Sequence, residues 1–436
     1  MYVHPPPPAA PISLKLLSAP IPPGYVHWDK LRHLDPPSGF THEEWWTAIR
    51  LQRDTRPVPL HDLDGEPFTY ALPDEILRVC HVVDQRCAGE IASEQIVTGD
   101  EQAKRRYLVN ALMEEAIRSS QLEGATTSRQ RAKELLRSGR EPLDRSERMI
   151  LNNYRALLFM REQRGARLTP ALVCELQRIL IDGTLDDPDE AGRIQQPGEE
   201  RVAVHDRSDP TVVLHTPPPA EQLPARLEAL CAFANDDDAQ ERFVHPVLRA
   251  ILVHFQLAYD HPFVDGNGRT ARALFSWYLA KHGYWLIEYL SISRILREAP
   301  SQYSRSYLLT ETDGGDTTYF LLHQLQTIER AIDDLYAYLR RKTAEIHDVE
   351  QLLHGDDGLN RRQLALLSDA LREPGRVYTF GRHAGIHRIT HETARADLRG
   401  LAARGWLTER TQGRRVLFSA PGDLSRRLQA PAADRG

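Results

Sequence analysis

Residues 261–272 have the sequence HPFVDGNGRTAR and decide the fold of this chain, because they join two helical patterns through a polar, glycine-rich turn. Apolar residues recur at helical spacing over residues 246–259 and again over residues 268–282, which predicts a helix on each side of the turn. A turn that opens a helix points unpaired backbone N–H groups at one spot, and the helix dipole favours negative charge there. Gly266 and Gly268 let a ligand approach this backbone closely. The stretch therefore predicts an anion cradle between two core helices.

The side chains of this stretch are those that a phosphoryl- or nucleotidyl-transfer site requires. His261 is a base, Asp265 is a candidate metal ligand, and Asn267 offers an amide. Arg269 and Arg272 are three residues apart, so they share one helix face and suit neighbouring phosphates. Each feature taken alone is common, as a helix cap, a tight turn or a solvated face. Their combination in one short window is what indicates chemistry.

The same window resembles the signature of the Fic family, HPFx[DE]GN[GK]Rxx[RG], at every fixed position. The resemblance implies a mainly α-helical Fic-type bundle and a protein adenylyltransferase, which moves AMP from ATP to a Tyr, Ser or Thr hydroxyl of a target protein and can modify itself. It implies His261 as the catalytic base and Mg²⁺ held by Asp265. The ATP phosphates would be bound by the cradle residues Gly266, Asn267, Gly268, Arg269 and Arg272. The Doc-type branch, which transfers the γ-phosphate, has Lys in place of Gly268, so this glycine favours AMP transfer.

A second motif ends an earlier helical pattern. Residues 119–124 have the sequence SSQLEG, in which Gly124 is suited to stop a helix. Taken alone, Glu123 is an ordinary exposed carboxylate at a helix end. Beside the signature, the segment resembles the family's inhibitory motif [ST]xxxE[GN], which implies that Ser119, Glu123 and Gly124 form an autoinhibitory element. The resemblance implies a pair between Glu123 and Arg272, and such a contact competes with the ATP γ-phosphate for one guanidinium.

Residues 191–219 predict a β-hairpin inside a helical region. Val202 and Val204 alternate with polar neighbours, a turn of Asp, Ser and Pro follows, and residues 212–214 form a second strand. A free strand edge can receive an extended segment by strand addition. The position matches the Fic flap, which aligns a target loop with the site, and implies docking by Val202, Ala203, Val204 and His205. A hairpin without a binding role is the alternative.

The N-terminal and remaining segments predict packing elements. Residues 1–25 are Pro-rich and predict an extended arm with little core of its own. Residues 25–53 predict a short strand, a turn and a helix, which Thr41 and Glu44 open with a capping box. Further helices are predicted over residues 72–139, 144–164, 169–181, 221–235 and 317–347, and Thr169 and Pro170 are predicted as the N-cap and first residue of the third.

Residues 355–425 predict a winged helix-turn-helix domain, since a helix, a second helix, a turn, a third helix and two strands follow one another. Between Leu359 and Val416 there are twelve Arg, no Lys and five acidic residues, hence +7, whereas the whole chain carries −6. The candidate contacts to DNA phosphates are Arg395, Arg399, Arg414 and Arg415. A protein-interaction module is the alternative.

Length and composition fit three regions in 436 residues. Residues 1–95 are the N-terminal Pro-rich arm and helical extension, residues 96–348 the Fic catalytic core with its inhibitory helix, and residues 355–425 the winged-helix domain. We find no secretion signal and no membrane span. The four scattered Cys form neither a disulfide framework nor a CxxC pair, which favours the cytoplasm. No metal is assigned to the three His residues at i, i+4 and i+8, His383, His387 and His391, because a predicted turn separates them.

Two hypotheses of other kinds stay open. One is a DNA-binding transcription regulator whose Fic core senses a nucleotide. The other is a Fic enzyme that uses another nucleotide, such as UTP or a phosphocholine donor, because every nucleoside triphosphate offers the same phosphates to the cradle. Near the nucleoside pocket, Ala299 and Pro300 stand where many members carry an Asn–Arg pair. The target protein, the nucleobase and a possible homodimer are therefore left open.

Overall fold

The computed structural model describes residues 2–88, 101–206, 209–235, 243–354, 358–372, 376–412 and 415–429. The chain divides into two compact units, of which the first comprises Met1–Ser93 and Tyr107–Ile332 and the second Glu94–Arg106 and Asp333–Gly436. The fold is mainly helical, as the sequence predicts. No helix in these described ranges is long and apolar enough to cross a membrane.

Helices form most of both units. Along the described residues they are α1 (Trp28–Leu31), α2 (His42–Gln52), α3 (Asp74–Val83), α4 (Glu101–Leu122), α5 (Arg129–Ser138), α6 (Arg145–Glu162), α7 (Pro170–Ile181), α8 (Leu223–Ala234), α9 (Pro246–Asp260), α10 (Asn267–Lys281), α11 (Ile292–Glu298), α12 (Pro300–Thr312), α13 (Thr318–His354), α14 (Arg361–Arg372), α15 (Phe380–His387), α16 (His391–Ala403) and α17 (Leu424–Gln429). The strands are β1 (Thr55–His61), β2 (Pro67–Ala71), β3 (Val204–His205), β4 (Val213–His215), β5 (Val377–Tyr378), β6 (Thr408–Gln412) and β7 (Arg415–Ser419).

The core of the first unit is built around α9 and α10. Nearly every residue of α9 is buried, polar ones included, because apolar side chains surround the helix rather than forming a single stripe. Phe255 at its centre packs against the rings of Phe68, Tyr259 and Phe320 at centroid distances of 5.1, 5.7 and 5.1 Å. Each such buried aromatic side chain contributes about 1.5–3 kcal/mol. The two helices that flank the glycine-rich turn are therefore both fixed by burial in the core.

The predicted boundaries of these helices are confirmed to within one residue at each end. Other local predictions are confirmed as well. Thr41 and Glu44 form both hydrogen bonds of the capping box at α2. The hydroxyl of Thr169 accepts the N–H of Leu172 and Pro170 occupies the first turn of α7, as Pro is suited to do.

The N-terminal arm differs from its prediction. Leu16 and Ala19 are buried with Trp45 and Trp46 of α2, so the arm shares a core with the helix that follows it. The strand predicted after residue 25 is wrong, because the short helix α1 lies there.

A pair of strands was missed further along the first unit. β1 and β2 form an antiparallel pair. Phe68 of β2 lies edge-on to Phe255 and Tyr259, both at 5.1 Å, so this pair covers α9.

The two short strands β3 and β4 pair antiparallel, with Val204 opposite His215 and His205 opposite Val213. In the second unit, β5 lies between α14 and α15, and β6 and β7 follow α16, so that the three strands form one sheet of order β5-β7-β6. Apolar side chains of the three helices and of β5 and β7 form one buried cluster that includes Leu367, Leu398 and Phe418.

Candidate functional site

The turn between α9 and α10 has an unusual backbone. His261 ends α9 in the left-handed region, with φ 46° and ψ 53°, and is one of two non-glycine residues with positive φ among the described residues. Such a conformation costs of order 1–3 kcal/mol and persists where surrounding contacts enforce it. Gly266 has φ 89°, and a Cβ atom there would lie 3.1 Å from Cγ2 of Ile181. This position therefore requires glycine on two counts.

Asn267 holds the turn through its side chain. Its Oδ1 accepts the N–H of Phe263 at 2.9 Å, and its Nδ2 donates to the carbonyl of Phe263 at 2.7 Å. Both polar atoms of the amide are thus used within the turn. The backbone N–H of Asn267 therefore remains the group of this residue that can bind a phosphate. The side chain instead holds the turn in position through its two bonds to Phe263.

The two predicted phosphate arginines lie in different places. The Arg269 side chain is fully buried, donates to the carbonyl of Leu180 at 3.1 Å and lies 3.2 Å from Oδ1 of Asp265. The same Oδ1 accepts the N–H of Gly266 at 2.6 Å. Arg272 instead lines the cavity beside the turn. The expected clamp of two arginines is therefore not formed here, since Arg269 braces Asp265 against α7.

Arg272 is bound by the predicted inhibitory segment. Its Nη2 donates to Oε1 of Glu123 at 2.8 Å, and its Nε donates to the hydroxyl of Ser119 at 3.0 Å. Its guanidinium is nearly fully buried, which lowers the pKa of Arg272, but the carboxylate of Glu123 together with Tyr303 and Glu115 outweighs this effect, so that the pKa is raised. The ion pair is thus a charge-assisted hydrogen bond in a desolvated place.

The carboxylate of Glu123 lies directly against the first turn of α10. A Cβ atom on Gly268 would collide with Oε1 of Glu123 and would lie 3.0 Å from Nη1 of Arg272. The N-terminal turn of a helix favours negative charge. Glu123 therefore puts its own negative charge at the predicted anion cradle, and Gly268 provides the space for it.

The end of α4 is anchored independently of this ion pair. Nδ2 of Asn153, on α6, donates to the carbonyl of Ala116 at 3.1 Å and to the hydroxyl of Ser120 at 3.3 Å. Gly124 takes φ 98°, which lets the N–H of Ala125 reach the carbonyl of Ser120 at 3.0 Å and close the helix. The position of Glu123 is thus set by buried contacts on its own side.

His261 is arranged as a neutral base. Its Nδ1 lies 3.2 Å from the carbonyl of Ala258, which assigns the proton to Nδ1 and leaves Nε2 as the acceptor. Burial lowers the pKa of His261 to about 4, and the charges of His215 and Arg201 act in the same direction, against the opposing effects of the Ala258 carbonyl and Glu123. The imidazole is therefore uncharged at neutral pH.

One cavity is lined by these groups and by residues of three other elements. His261, Gly268, Arg272 and Glu123 line it together with residues of β3, β4 and α12. The additional lining residues with polar side chains are His205, His215, Tyr259, Tyr303, Ser304, Tyr307 and Glu311. Of the four predicted docking residues, Val204 and His205 face this cavity, whereas Val202 and Ala203 precede the strand pair.

Sequence reasoning missed Arg201, which fastens the turn from outside. Its Nη2 donates to the carbonyls of Asp260 and His261 at 2.8 and 3.0 Å, and its Nε donates to the carbonyl of Pro218 at 2.8 Å. Gln195 also fastens the turn, because its backbone N–H donates to the carbonyl of Pro262 at 2.8 Å, and its Oε1 accepts from Nη1 of Arg201. No local motif marks these residues, since the contacts of Arg201 with the turn lie 59 and 60 positions away in sequence.

The predicted Mg²⁺ ligand can be compared with what such an ion requires. Asp265 is the carboxylate beside the turn, and its side chain is 37% exposed. Within the described ranges no group of three or more His, Cys, Asp or Glu side chains is placed to hold a metal. Mg²⁺ is commonly held by one or two carboxylates together with substrate phosphates and water. A single accessible carboxylate next to an anion cradle fits that mode of binding.

The predicted DNA-contact residues belong to the second unit. Arg395 and Arg399 are exposed on α16, and Arg415 is exposed at the start of β7. Arg414 lies outside the described residues. His383, one of the three His residues to which no metal was assigned, places Nε2 3.1 Å from Oδ2 of Asp397.

Comparison of the sequence with known proteins finds a family that this chain resembles. Residues 167–279 match the family model described as Fic/DOC family. A relative named protein adenylyltransferase Fic, from Nematostella vectensis, is 26% identical over 247 residues, which are 55% of this chain and 51% of that protein. A protein of the same name from Drosophila mojavensis is 40% identical over 70 residues, or 16% of this chain and 14% of that one. The chain thus spans about half the length, or less, of the curated relatives it matches.

A solved structure of a Fic family protein from Desulfovibrio desulfuricans G20 has the same fold. It superposes with a TM-score of 0.53 and 17% identity, over 81% of this chain and 98% of that one.

Proposed function

The chain is a Fic/DOC family protein through residues 167–279, and on that basis we propose that it is a protein adenylyltransferase held inactive by Glu123. The observation that carries the proposal is one cavity lined by His261, Gly268 and Arg272. A neutral base, a helix N-terminus and a buried guanidinium are the groups that transfer of a nucleotidyl group to a hydroxyl requires. The relatives named protein adenylyltransferase support ATP as the substrate.

In the proposed reaction, the ATP phosphates take the place of the Glu123 carboxylate at the first turn of α10. Backbone N–H groups of the turn and the guanidinium of Arg272 bind them. Nε2 of His261 accepts the proton of a Tyr, Ser or Thr hydroxyl on the target. The hydroxyl oxygen bonds to the α-phosphorus, the bond from that phosphorus to the bridging oxygen breaks, and pyrophosphate leaves with the electron pair. Mg²⁺ bound at Asp265 would offset part of the phosphate charge.

In this proposal, inhibition results from competition between the Glu123 carboxylate and an ATP phosphate for the same position beside Arg272 and Gly268. The carboxylate of Glu123 occupies the guanidinium of Arg272 and, being anionic, repels a phosphate at Gly268. Ser119 strengthens the closed arrangement, because its hydroxyl and its carbonyl both accept from the same guanidinium, at 3.0 and 3.3 Å. We assign Ser119, Glu123 and Gly124 to this inhibitory element.

Two further assignments belong to the same proposal. The pair of strands β3 and β4 serves as a flap, since Val204 and His205 face the cavity that holds His261 and could align a target segment with it. The second unit is assigned as a winged-helix domain from the order of its helices and strands.

The proposed function is tested by incubating wild type, Glu123→Gly and His261→Ala/Glu123→Gly with ATP and a cell lysate, and measuring intact masses. We expect AMP-modified proteins with Glu123→Gly, including the protein itself, and none with the double variant. General-base loss costs about 10²–10⁴-fold. A modification rate of the double variant within about threefold of Glu123→Gly would remove His261 from its role.

A further inference from the structure

The second unit carries a basic helix face that the proposed reaction does not use. α16 begins at Thr390, whose hydroxyl accepts the N–H of Thr393 at 3.2 Å. Ala394, Leu398 and Leu401 are buried on its inner side. The exposed residues recur along the opposite side, at His391, Glu392, Arg395, Ala396 and Arg399. Two of these five are cations and one is an anion.

The two arginines on this face are held in place rather than loosely solvated. Their guanidinium carbons lie 5.5 and 6.0 Å from the ring centroid of Phe380, for Arg395 and Arg399 respectively. Phe380 is itself fixed, because it packs against Phe418 of β7 at 5.2 Å. Restricting two long side chains in advance reduces the entropy that a ligand would otherwise have to remove. Arg399 lies 3.6 Å from Glu409, but its side chain stays 53% exposed, so this surface pair screens it only weakly.

The helix that carries this face is rigidly supported from inside. Asp397 is buried on its inner side and receives hydrogen bonds from Arg362 at 2.8 Å and from Asn360 at 2.8 Å. His383 of α15 lies 3.1 Å from the same carboxylate. These contacts tie the start of α14 and the helix α15 to α16. The outer face is therefore presented as a firm surface.

The turn that precedes α16 contains an arginine with an unusual backbone conformation. Arg388 has φ 52° and is exposed. A left-handed position between two helices is ordinarily filled by glycine, since other residues are strained there. Among the described residues, the only other non-glycine residue with positive φ is His261, the proposed base. A cation is thus kept next to the basic face at a cost in backbone strain.

We propose that the exposed face of α16 binds the major groove of duplex DNA, with Arg395, Arg399 and Arg415 on phosphates. The described residues of 358–429 carry thirteen Arg, no Lys and five acidic residues, which is an excess of positive charge suited to a polyanion. A single helix fits the major groove, and a strand pair beside such a helix can reach the adjacent backbone. Glu392 repels phosphates and weakens binding to arbitrary sequences.

The experiment uses the full chain and a fluorescently labelled duplex of about 20 base pairs, roughly two helical turns. Anisotropy is measured at about 50 and about 200 mM salt. Three phosphate contacts would lower affinity about 40-fold between these conditions. Arg395→Gln/Arg399→Gln should weaken binding and reduce the slope of log K against log salt by about 2. Glu392→Gln should tighten binding, an effect that misfolding cannot produce.

The matched control is Arg137→Gln/Arg145→Gln, which removes two exposed arginines from the first unit and changes the net charge equally. We expect it to leave affinity and slope near those of wild type. Absence of binding at the lower salt concentration would overturn the proposal and favour a protein partner for α16. Equal affinities for wild type and Arg395→Gln/Arg399→Gln, or no gain in Glu392→Gln, would overturn it as well. None of these readings depends on nucleotide transfer.

Discussion

Replacing Glu123 with glycine is the perturbation that most directly addresses the proposed inhibition. The substitution removes a carboxylate that is not part of an apolar core. Glu123 directly follows the end of α4, beside Gly124, and its carboxylate contacts Arg272. Arg272 keeps its bonds to Ser119 at 3.0 and 3.3 Å, so its guanidinium stays near the turn. What changes is the space at Gly268 and the charge there. A phosphate can then take the position that the carboxylate held.

The size of the effect can be worked out from the contact that is lost. The pair between Glu123 and Arg272 is one charge-assisted hydrogen bond of 2.8 Å in a largely desolvated place. A bond of this kind is worth about 1.5–3 kcal/mol, which corresponds to roughly 10- to 150-fold in an equilibrium constant. We therefore expect AMP transfer by Glu123→Gly to rise by at least about tenfold. Without ATP the variant should melt a few degrees lower than wild type, because a buried guanidinium has lost its counter-ion.

The assay is time-resolved intact-mass spectrometry of self-modification with saturating ATP, paired with thermal melts with and without ATP. Glu114→Gly is the control, since Glu114 lies on the same helix but pairs with Arg118 and Arg129 instead. It should leave the transfer rate unchanged. Arg272→Ala added to Glu123→Gly should reverse most of the gain. Equal rates in wild type and Glu123→Gly would refute the inhibitory role of Glu123, and the segment would be an ordinary helix end.

Three other outcomes are expected. Arg201→Met should lower kcat at least tenfold with a smaller change in KM, because Arg201 holds the carbonyls of Asp260 and His261. The control Arg193→Met, which removes a surface ion pair with Glu199, should leave kcat unchanged. Equal effects of the two substitutions would contradict the positioning role of Arg201. Since burial lowers the pKa of His261 to about 4, its ring should remain neutral as pH falls from about 7.5 to about 5.5, and a histidine NMR titration with a midpoint near the ordinary value would contradict this. Asn267→Ala should cost about 1–3 kcal/mol of stability for the two bonds to Phe263, measured by denaturant unfolding, and an unchanged midpoint would show that the turn does not need them.

The turn, its two helices and the candidate base were predictable from residues 261–272 because their signals are local. A continuous apolar pattern defines α9 and α10, and Gly266 supplies the positive φ that the turn requires. His261 was predicted as the base, but its left-handed backbone was not, since a non-glycine residue adopts that region only under contacts from elsewhere. Those contacts come from Arg201, whose place in sequence gives no hint of them.

The misses have equally concrete causes. β1 contains Pro57 and Pro59, which argue against a strand unless it lies at an edge, as it does in the pair with β2. The Pro-rich arm appeared to lack a core, yet the buried partners of Leu16 are tryptophans about thirty residues later. Two arginines at helical spacing suggested one clamp, but Arg269 finds the carbonyl of Leu180 inside the fold. In each case a long-range contact decided the outcome.

The most direct test of the central claim follows the two ends of ATP in Glu123→Gly. The protein is incubated with ATP labelled at the α-phosphate or at the γ-phosphate, and the label on protein and in free pyrophosphate is measured. The account predicts α-label on protein, γ-label in pyrophosphate, and neither product when His261→Ala is added. Label from the γ-phosphate on protein, or α-label that persists without His261, would contradict adenylyl transfer at this site.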